Sequence, residues 1–157
     1  MTTPNFLIFQ QVSFITPILL IVIVSILYII QVYVQYKIFK TKNTLSHGYP
    51  VNTFLMFAPI YEEIIFRGIL FFGLIPMFGV VGSGIINAVL FGLWHIRSIF
   101  FMPSKKVISQ VLYTTLFIAP ICLYATYITG NIWLAVIIHY INNILAPVCE
   151  EWEIFKK

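Results

Sequence analysis

Long apolar stretches, separated by short links, follow one another along almost the whole chain. Each stretch is close to the ~20 residues that an α-helix needs to cross the hydrocarbon core of a bilayer. The predicted links are short enough to make neighbouring helices antiparallel: Thr41–Pro50, Leu74–Gly84, Met102–Lys106 and Ile128–Asn131. The pattern therefore predicts an all-α fold, a polytopic transmembrane helical bundle of about five spans at residues 14–36, 51–74, 80–101, 107–128 and 131–148.

The amino-acid composition agrees with a protein whose solvent is the lipid bilayer. Of the 157 residues, 61% are hydrophobic and 9% are charged, whereas a soluble domain is roughly half apolar and a quarter charged. This length leaves little protein outside the bilayer, so we expect residues 1–157 to form a single integral membrane domain. The first residues lack the basic segment and cleavage site of a signal peptide, and we expect them to stay attached. Cys122 and Cys149 have no CxxC spacing and are interpreted as packing residues.

The basic residues predict the orientation of the bundle. Lys and Arg in short loops are retained on the cytoplasmic side of a membrane. Only Arg67 lies inside a predicted span; the other basic residues follow the first span, flank the link between the third and fourth spans, or end the chain. We therefore predict a multi-pass cell-membrane protein with its N-terminus outside and its C-terminus in the cytoplasm. The net charge of +4 is spread over these loops, so nucleic-acid binding, which needs a basic solvated face, is not expected.

Three charged residues lie in the second predicted span: Glu62, Glu63 and Arg67. Each charge at a helix centre costs ~2.5–3.5 kcal/mol on insertion scales, so these side chains need partners. Glu63 and Arg67 are four positions apart and suit a helical ion pair, which can be purely structural. Glu62 points about 100° away around the helix and does not easily share this arginine, which makes it the better candidate for chemistry.

The third and fifth spans carry polar side chains at the depth of Glu62. Counting ~1.5 Å per residue from the cytoplasmic ends places Glu62, His95 and His139 at roughly 15–18 Å. Asn143 is four residues after His139 and lies on the same helix face. A single intramembrane histidine often serves helix packing, but three helices with polar groups at one level predict a shared cavity. Asn142 points away and is interpreted as a structural amide.

Two kinds of hydrolytic site fit this set of side chains. A carboxylate and two imidazoles in a poorly hydrated pocket activate water and hydrogen-bond an oxyanion. Glu62, His95 and His139 also match the donors of a catalytic zinc ion, so the cofactor stays open between zinc and none. The sequence contains neither Asp nor HExxH, which excludes the aspartyl and HExxH types of intramembrane protease. Ser83, between two glycines near the outer face, is a weak candidate nucleophile.

Three segments resemble the motifs of the CAAX prenyl protease and bacteriocin-processing family, also called CPBP or Abi. Its pattern of EExxxR, FxxxH and HxxxN is matched in order by Glu62-Glu63 with Arg67, Phe91 with His95, and His139 with Asn143. The resemblance covers about residues 50–147 and implies a helical intramembrane endopeptidase.

The resemblance also implies a role for each motif residue. Glu62 would activate water with help from His95, and the oxyanion would be stabilised by His139 and Asn143. The charged pair of the first motif would support the site. Family members are commonly labelled metallopeptidases, although a metal-free glutamate mechanism is also argued for them.

The leading hypothesis is an endopeptidase that cleaves a membrane-associated or secreted-peptide precursor. Its partners would be that peptide or protein and the lipid bilayer. The small size and predicted orientation suit a bacterial plasma membrane, which favours peptide maturation or protection against bacteriocins over the processing of prenylated proteins. Two alternatives stay open. One is a non-catalytic bacteriocin self-immunity protein, and the other is a small transporter or proton relay, which the lack of repeat symmetry disfavours.

Overall fold

The computed structural model describes residues 15–37, 53–100 and 103–151. All of these residues are helical except Pro103 and the turn at 130–132. The all-α fold class is therefore confirmed for the described part of the chain. Several predictions fall outside it: they concern the N-terminal segment, the first link, the side chain of Cys149, and the lysines Lys40, Lys42, Lys156 and Lys157.

The helices follow the order that the apolar pattern predicts. Their bounds are α1 Ile15–Lys37, α2 Thr53–Glu63, a first π-helix Ile64–Phe71, α3 Phe72–Trp94, a 3₁₀-helix His95–Phe100, α4 Ser104–Tyr113, a second π-helix Thr114–Ile118, α5 Ala119–Thr129 and α6 Trp133–Glu151. Among the described residues, three continuous helical stretches are long and apolar enough to cross a membrane, and a shorter apolar one follows: Ile15–Gln35, Phe57–Phe100, Ser104–Thr129 and Trp133–Leu145.

The longest of these stretches is an antiparallel hairpin that turns at Gly79. This residue has φ +67° and ψ 177°, a conformation that residues with a Cβ rarely adopt. Across the hairpin, the Trp94 indole N–H donates to Glu62 over 3.0 Å. One level nearer the turn, the Asn87 side-chain amide donates to the Phe66 carbonyl oxygen. The polar groups of α2 therefore face the end of α3.

The turn is shorter than the sequence predicts. The expected link from Leu74 to Gly84 is wrong, because within α3 only Gly79 departs from helical backbone angles. Pro76 and Gly82 made this segment look like a loop. Both are tolerated inside a helix, since packing against neighbouring helices outweighs a weak intrinsic propensity.

A π-helix begins directly after the two glutamates. In Ile64–Phe71 the backbone hydrogen bonds reach five residues along the chain, so the turn is wider and the side chains after it are displaced around the axis. The buried Asn87 side chain supplies a donor to one carbonyl of this segment, that of Phe66, which satisfies a group in an irregular ladder. Because Arg67 belongs to this segment, the wide turn decides where its guanidinium points.

The remaining helices pack around α6 and α3. α6 contacts α1, α2 and α5, whereas α3 contacts both π-helices and α5. The core between them is mostly apolar and includes Val24, Phe91, Ile118, Cys122 and Ile138. Large apolar side chains also cover the outside, among them Ile18, Val81 and Leu116. An exterior this apolar is expected where the surface faces lipid.

A tight turn connects α5 to α6. Gly130 has φ +67°, and its N–H donates to the Thr126 carbonyl oxygen over 2.9 Å, which ends α5. The Asn131 side-chain oxygen accepts the Trp133 N–H over 3.1 Å and caps α6. The two helices are consequently antiparallel neighbours, and α6 returns to the level of α2.

Candidate active site

Glu63 is the centre of a buried charge cluster. Its Oε2 lies 3.1 Å from Arg67 Nε, and its Oε1 lies 2.8 Å from His139 Nδ1. The side chains of Glu63 and Arg67 are both 0% exposed. The predicted Glu63–Arg67 pair is therefore present, and it extends to α6. Because a carboxylate oxygen only accepts, the His139 hydrogen that it binds is on Nδ1.

Other groups enclose the Arg67 guanidinium. Its central carbon lies 4.0 Å from the centre of the Phe91 ring, over the ring face. Its Nη2 donates to the Ala119 carbonyl oxygen over 3.4 Å. The ring face and the carbonyl both carry partial negative charge, so both stabilise the buried cation. The contact from Nε to Glu63 is ionic and lacks the alignment of a hydrogen bond.

Glu62 is buried beside this cluster and has partners of its own. Its Oε1 accepts hydrogen bonds from Trp94 Nε1 at 3.0 Å, from Arg97 Nη2 at 2.8 Å and from the Tyr61 hydroxyl at 3.3 Å. Its Oε2 lies 3.8 Å from His139 Nε2. One carboxylate oxygen is thus saturated, and the other faces an imidazole nitrogen. Glu62 is paired with Arg97, whereas Glu63 is paired with Arg67.

Phe91 is the common neighbour of the two histidines. Its ring meets the His95 ring edge-on, with the centroids 5.1 Å apart, and the His139 ring edge-on at 5.5 Å. Its carbonyl oxygen lies 2.8 Å from His95 Nδ1, so this nitrogen carries a hydrogen and Nε2 is left for other partners. His95 and His139 therefore lie at one site. In the described contacts, His95 has no hydrogen bond to either glutamate.

Asn143 lies one turn after His139 on α6. Its Oδ1 accepts from Asn142 over 3.5 Å, so its own amide hydrogens are available to a further acceptor. Asn142 in turn accepts the Tyr113 hydroxyl over 2.8 Å, a link between α6 and α4 that suits the structural amide expected there. No described hydrogen bond joins Asn143 to the glutamates or histidines, and its spacing of four residues places it on the same face of α6 as His139.

The predicted metal donors do not form a metal centre in this arrangement. Within the residues that the structure describes, no three His, Cys or Glu side chains are grouped as ligands of one ion. Glu62 Oε1 is bound to other side chains, and Nδ1 of His95 and of His139 each binds a protein oxygen. Glu62 Oε2 and the two Nε2 atoms are therefore the donors left for a cation, and no chemical step is assigned to one.

Trp94 and Arg97 belong to the site, although the sequence pattern does not predict this. From the sequence, Arg97 is one of the basic residues beside a link that predict the topology. The structure places its guanidinium carbon 4.2 Å from the centre of the Trp94 ring and its Nη2 on Glu62. Their spacing could have indicated that they act together, because residues three positions apart, such as Trp94 and Arg97, share a helix face.

Comparison with known families identifies the chain. The family described as "Type II CAAX prenyl endopeptidase Rce1-like" matches residues 16–145, which include all three motifs. The chain belongs to this family. Searches of curated proteins and of solved structures gave no significant match. The predicted resemblance is thereby confirmed, and the matched region is longer than the predicted core of about 50–147 because it includes α1, which packs against α6.

Membership establishes the kind of protein. The family is one of CAAX-type intramembrane proteases, and several apolar helices agree with a multi-pass membrane protein. The roles of the individual motif residues stay predictions.

Proposed function

We propose that this chain is a CPBP-type endopeptidase that hydrolyses a peptide bond of a membrane-associated or secreted-peptide precursor. The observation that carries the proposal is the 3.8 Å separation between Glu62 Oε2 and His139 Nε2. Each of these residues is fixed on its other side by a hydrogen-bonded partner. Two buried acceptors that face each other across this distance suit the binding of one water molecule.

Glu62 is the proposed general base. A water held between Glu62 Oε2 and His139 Nε2 gives a proton to Oε2 while its oxygen attacks the carbonyl carbon of the peptide. The same proton then passes from Oε2 to the leaving nitrogen as the C–N bond breaks. The products are one fragment with a new carboxyl end and one with a new amino end, so all atoms of the water are accounted for.

Glu63 and Arg67 position the imidazole of His139. The Glu63 contact to Nδ1 fixes the ring orientation of His139 and leaves Nε2 without a hydrogen in the neutral ring. Such an Nε2 accepts a hydrogen bond from water but does not donate one to an oxyanion. We therefore assign His139 to the water, which differs from the role implied by the family resemblance.

Asn143 is the proposed hydrogen-bond donor to the substrate carbonyl oxygen. Its amide hydrogens are not used in the described contact with Asn142, and they stabilise the negative charge that develops on the carbonyl oxygen. His95 is half-buried at the start of the 3₁₀-helix. Its Nε2 is an acceptor like that of His139, and it binds the incoming water before that water reaches Glu62. All six candidate site residues then have a role in one reaction.

We also propose the placement of the chain in the membrane. With the Gly79 hairpin counted as two crossings, the described helices make five, and an odd number puts the termini on opposite sides. Arg97 and Lys105 lie beside the same end of the bundle as Glu62, which supports a site nearer the cytoplasmic face of a bacterial plasma membrane. The proposed process is the maturation of secreted peptides.

The test compares cleavage by purified wild type, Glu62→Gln and Ser83→Ala in detergent. Two substrates are supplied: a secreted-peptide precursor that carries an apolar leader, and a prenylated CAAX peptide. We expect cleavage by the wild type and by Ser83→Ala, and a rate about 10²- to 10⁴-fold lower for Glu62→Gln, the usual range for loss of a general base. Equal rates for wild type and folded Glu62→Gln would contradict the proposal.

A chelator arm of the same assay addresses the cofactor. Cleavage that persists in 1,10-phenanthroline assigns the chemistry to the protein side chains alone. Cleavage that is lost in the chelator and restored by Zn²⁺ assigns a cation to the site, and the arrangement of Glu62, His95 and His139 would then have to change on binding.

A further inference from the structure

Arg97 connects the buried site to its surroundings. Its Nη2 lies 2.8 Å from Glu62 Oε1 and 3.4 Å from the Tyr61 hydroxyl. Its guanidinium lies over the Trp94 ring at 4.2 Å from the centroid. The Arg97 side chain is 44% exposed, whereas that of Glu62 is 4% exposed. The arginine therefore meets the carboxylate from the open side of the site, opposite the buried cluster of Glu63.

We propose that Arg97 is a positioning residue that holds Glu62 in the orientation of a general base. The inference rests on the proposed function, in which Glu62 Oε2 accepts a proton from water. Arg97 and Trp94 both bind Oε1, so the carboxylate is anchored through one oxygen. The other oxygen is consequently directed at His139 Nε2.

The chemistry of the contact requires an arginine. A planar guanidinium stacks on an indole face and donates in its own plane at the same time, whereas an ammonium is a compact point charge without this geometry. In this site the ring of Trp94 fixes the plane, and the plane directs an N–H at Glu62. A lysine at position 97 keeps the positive charge but cannot direct an N–H at Glu62 in this way.

The contact also differs from an ordinary surface ion pair. Exposed pairs contribute little, about 0–1 kcal/mol, because water solvates both partners well. Here only the arginine is exposed, and its carboxylate partner is buried. Replacing Arg97 leaves that carboxylate with neutral donors, Trp94 and Tyr61, and with the imidazole of His139.

The first test is kinetic. Arg97→Ala lowers kcat about 10- to 100-fold, the range expected when a catalytic group is misplaced by about 1 Å, with KM nearly unchanged because the substrate contacts are intact. Arg97→Lys recovers only a small part of the rate. Methylguanidinium at millimolar concentration restores cleavage by Arg97→Ala and does not affect Glu62→Gln. Lys105→Gln, which removes one exposed charge from the next helix, is the matched control and cleaves like the wild type.

The second test is spectroscopic and does not require activity. The five acidic residues are all glutamates, so isotope-edited infrared spectra of labelled Glu contain few carboxylate bands. The band absent from Glu62→Gln belongs to Glu62. We expect Arg97→Ala to shift this band and Lys105→Gln to leave it unchanged.

The results separate this inference from the proposed function. A wild type that cleaves, together with a folded Arg97→Ala that cleaves equally well, overturns the inference and leaves the peptidase intact. An unshifted Glu62 band in Arg97→Ala overturns it even if no substrate is cleaved. Inactivity of the wild type on every substrate counts against the proposed function, and the band position still decides whether Arg97 holds Glu62.

Discussion

Glu62 and Glu63 are neighbours in the sequence, yet different arginines neutralise them. Glu63 is paired with Arg67 inside the bundle, and Glu62 with Arg97 at its open side. Burial of an ion pair does not by itself add stability, because desolvation offsets the attraction between the charges. Removing one partner is costly, since it leaves the other charge buried and unpaired. The arrangement therefore serves to fix the two carboxylates in different orientations.

Replacement of Arg67 tests this account of the buried pair. Arg67→Met is expected to lower the free energy of unfolding by about 3–5 kcal/mol, because it leaves Glu63 without its cation. The double variant Glu63→Gln with Arg67→Met removes both charges and recovers part of the loss. Unfolding by SDS in mixed micelles measures both values. A single variant as stable as the wild type would show that the pair is not needed to hold the fold.

The sequence predicts six candidate site residues but not all of their partners. A four-residue interval places Glu63 with Arg67 and His139 with Asn143 on common helix faces. The structure brings His139 close to both glutamates. Motif spacing did not find Arg97, whose position at the end of a span is equally suited to a topology marker. Only the fold of the hairpin decides that its side chain reaches Glu62.

Among the helices, the hairpin of α3 depends on one backbone conformation. Gly79 has φ +67°, which places a Cβ in an unfavourable region. Gly79→Ala is expected to cost about 1–3 kcal/mol of stability from backbone strain. Gly84→Ala is the matched control, because a Cβ there meets no atom within 4 Å and φ is ordinary. Equal stability of the two variants in SDS unfolding would contradict the role given to Gly79.

The contact between α3 and the second π-helix depends on a second glycine. A Cβ on Gly92 would overlap the Thr115 hydroxyl and lie 3.2 Å from the Val111 carbonyl oxygen. Gly92→Ala is therefore expected to destabilise by about 1–3 kcal/mol through overpacking. Thr115→Ala in the same chain should recover part of the loss, and Gly73→Ala, with open space around its Cβ, should behave like the wild type. Absence of any recovery would contradict the steric explanation.

The π-helices could not be predicted from the sequence. Nothing in the apolar pattern of Ile64–Phe71 separates a π-turn from an α-turn, because both bury one side of a nearly all-apolar segment. The decision comes from tertiary contacts such as the Asn87 side chain on the Phe66 carbonyl. The same holds for the link at Leu74–Gly84, where glycines and a proline suggest a loop and packing keeps the segment helical.

For the molecule as a whole, the apolar pattern was sufficient to predict the class of fold. The predicted stretches overlap the described helices, although the second and third lie in one continuous stretch, Phe57–Phe100. A segment in lipid must satisfy its own backbone hydrogen bonds, which favours helices. The apolar pattern does not predict which helices pack against each other. An apolar helix has no polar face to orient it, so the contacts of α1 with α6 and α4 depend on side-chain shape.

Cysteine labelling tests the predicted orientation of the chain in the membrane. In a chain with Cys122 and Cys149 replaced by serine, Lys105→Cys should react with a membrane-impermeant maleimide only from the cytoplasmic side. Asn131→Cys, in the turn between α5 and α6, should react only from the outside. Both positions are exposed, so access to the side chain does not limit labelling. Labelling of both from the same side would contradict the five-span arrangement.

The most direct test of the central claim compares single-turnover cleavage by wild type, Glu62→Gln and His139→Asn in lipid nanodiscs. Asparagine at 139 keeps a donor near Glu63 but lacks Nε2. The variant therefore keeps a contact with Glu63 and removes the atom proposed to bind water. We predict that both variants stay folded and that both lose the chemical step, with cleavage at least about 100-fold slower. Cleavage by either folded variant at the wild-type rate would contradict the claim that Glu62 and His139 activate water together.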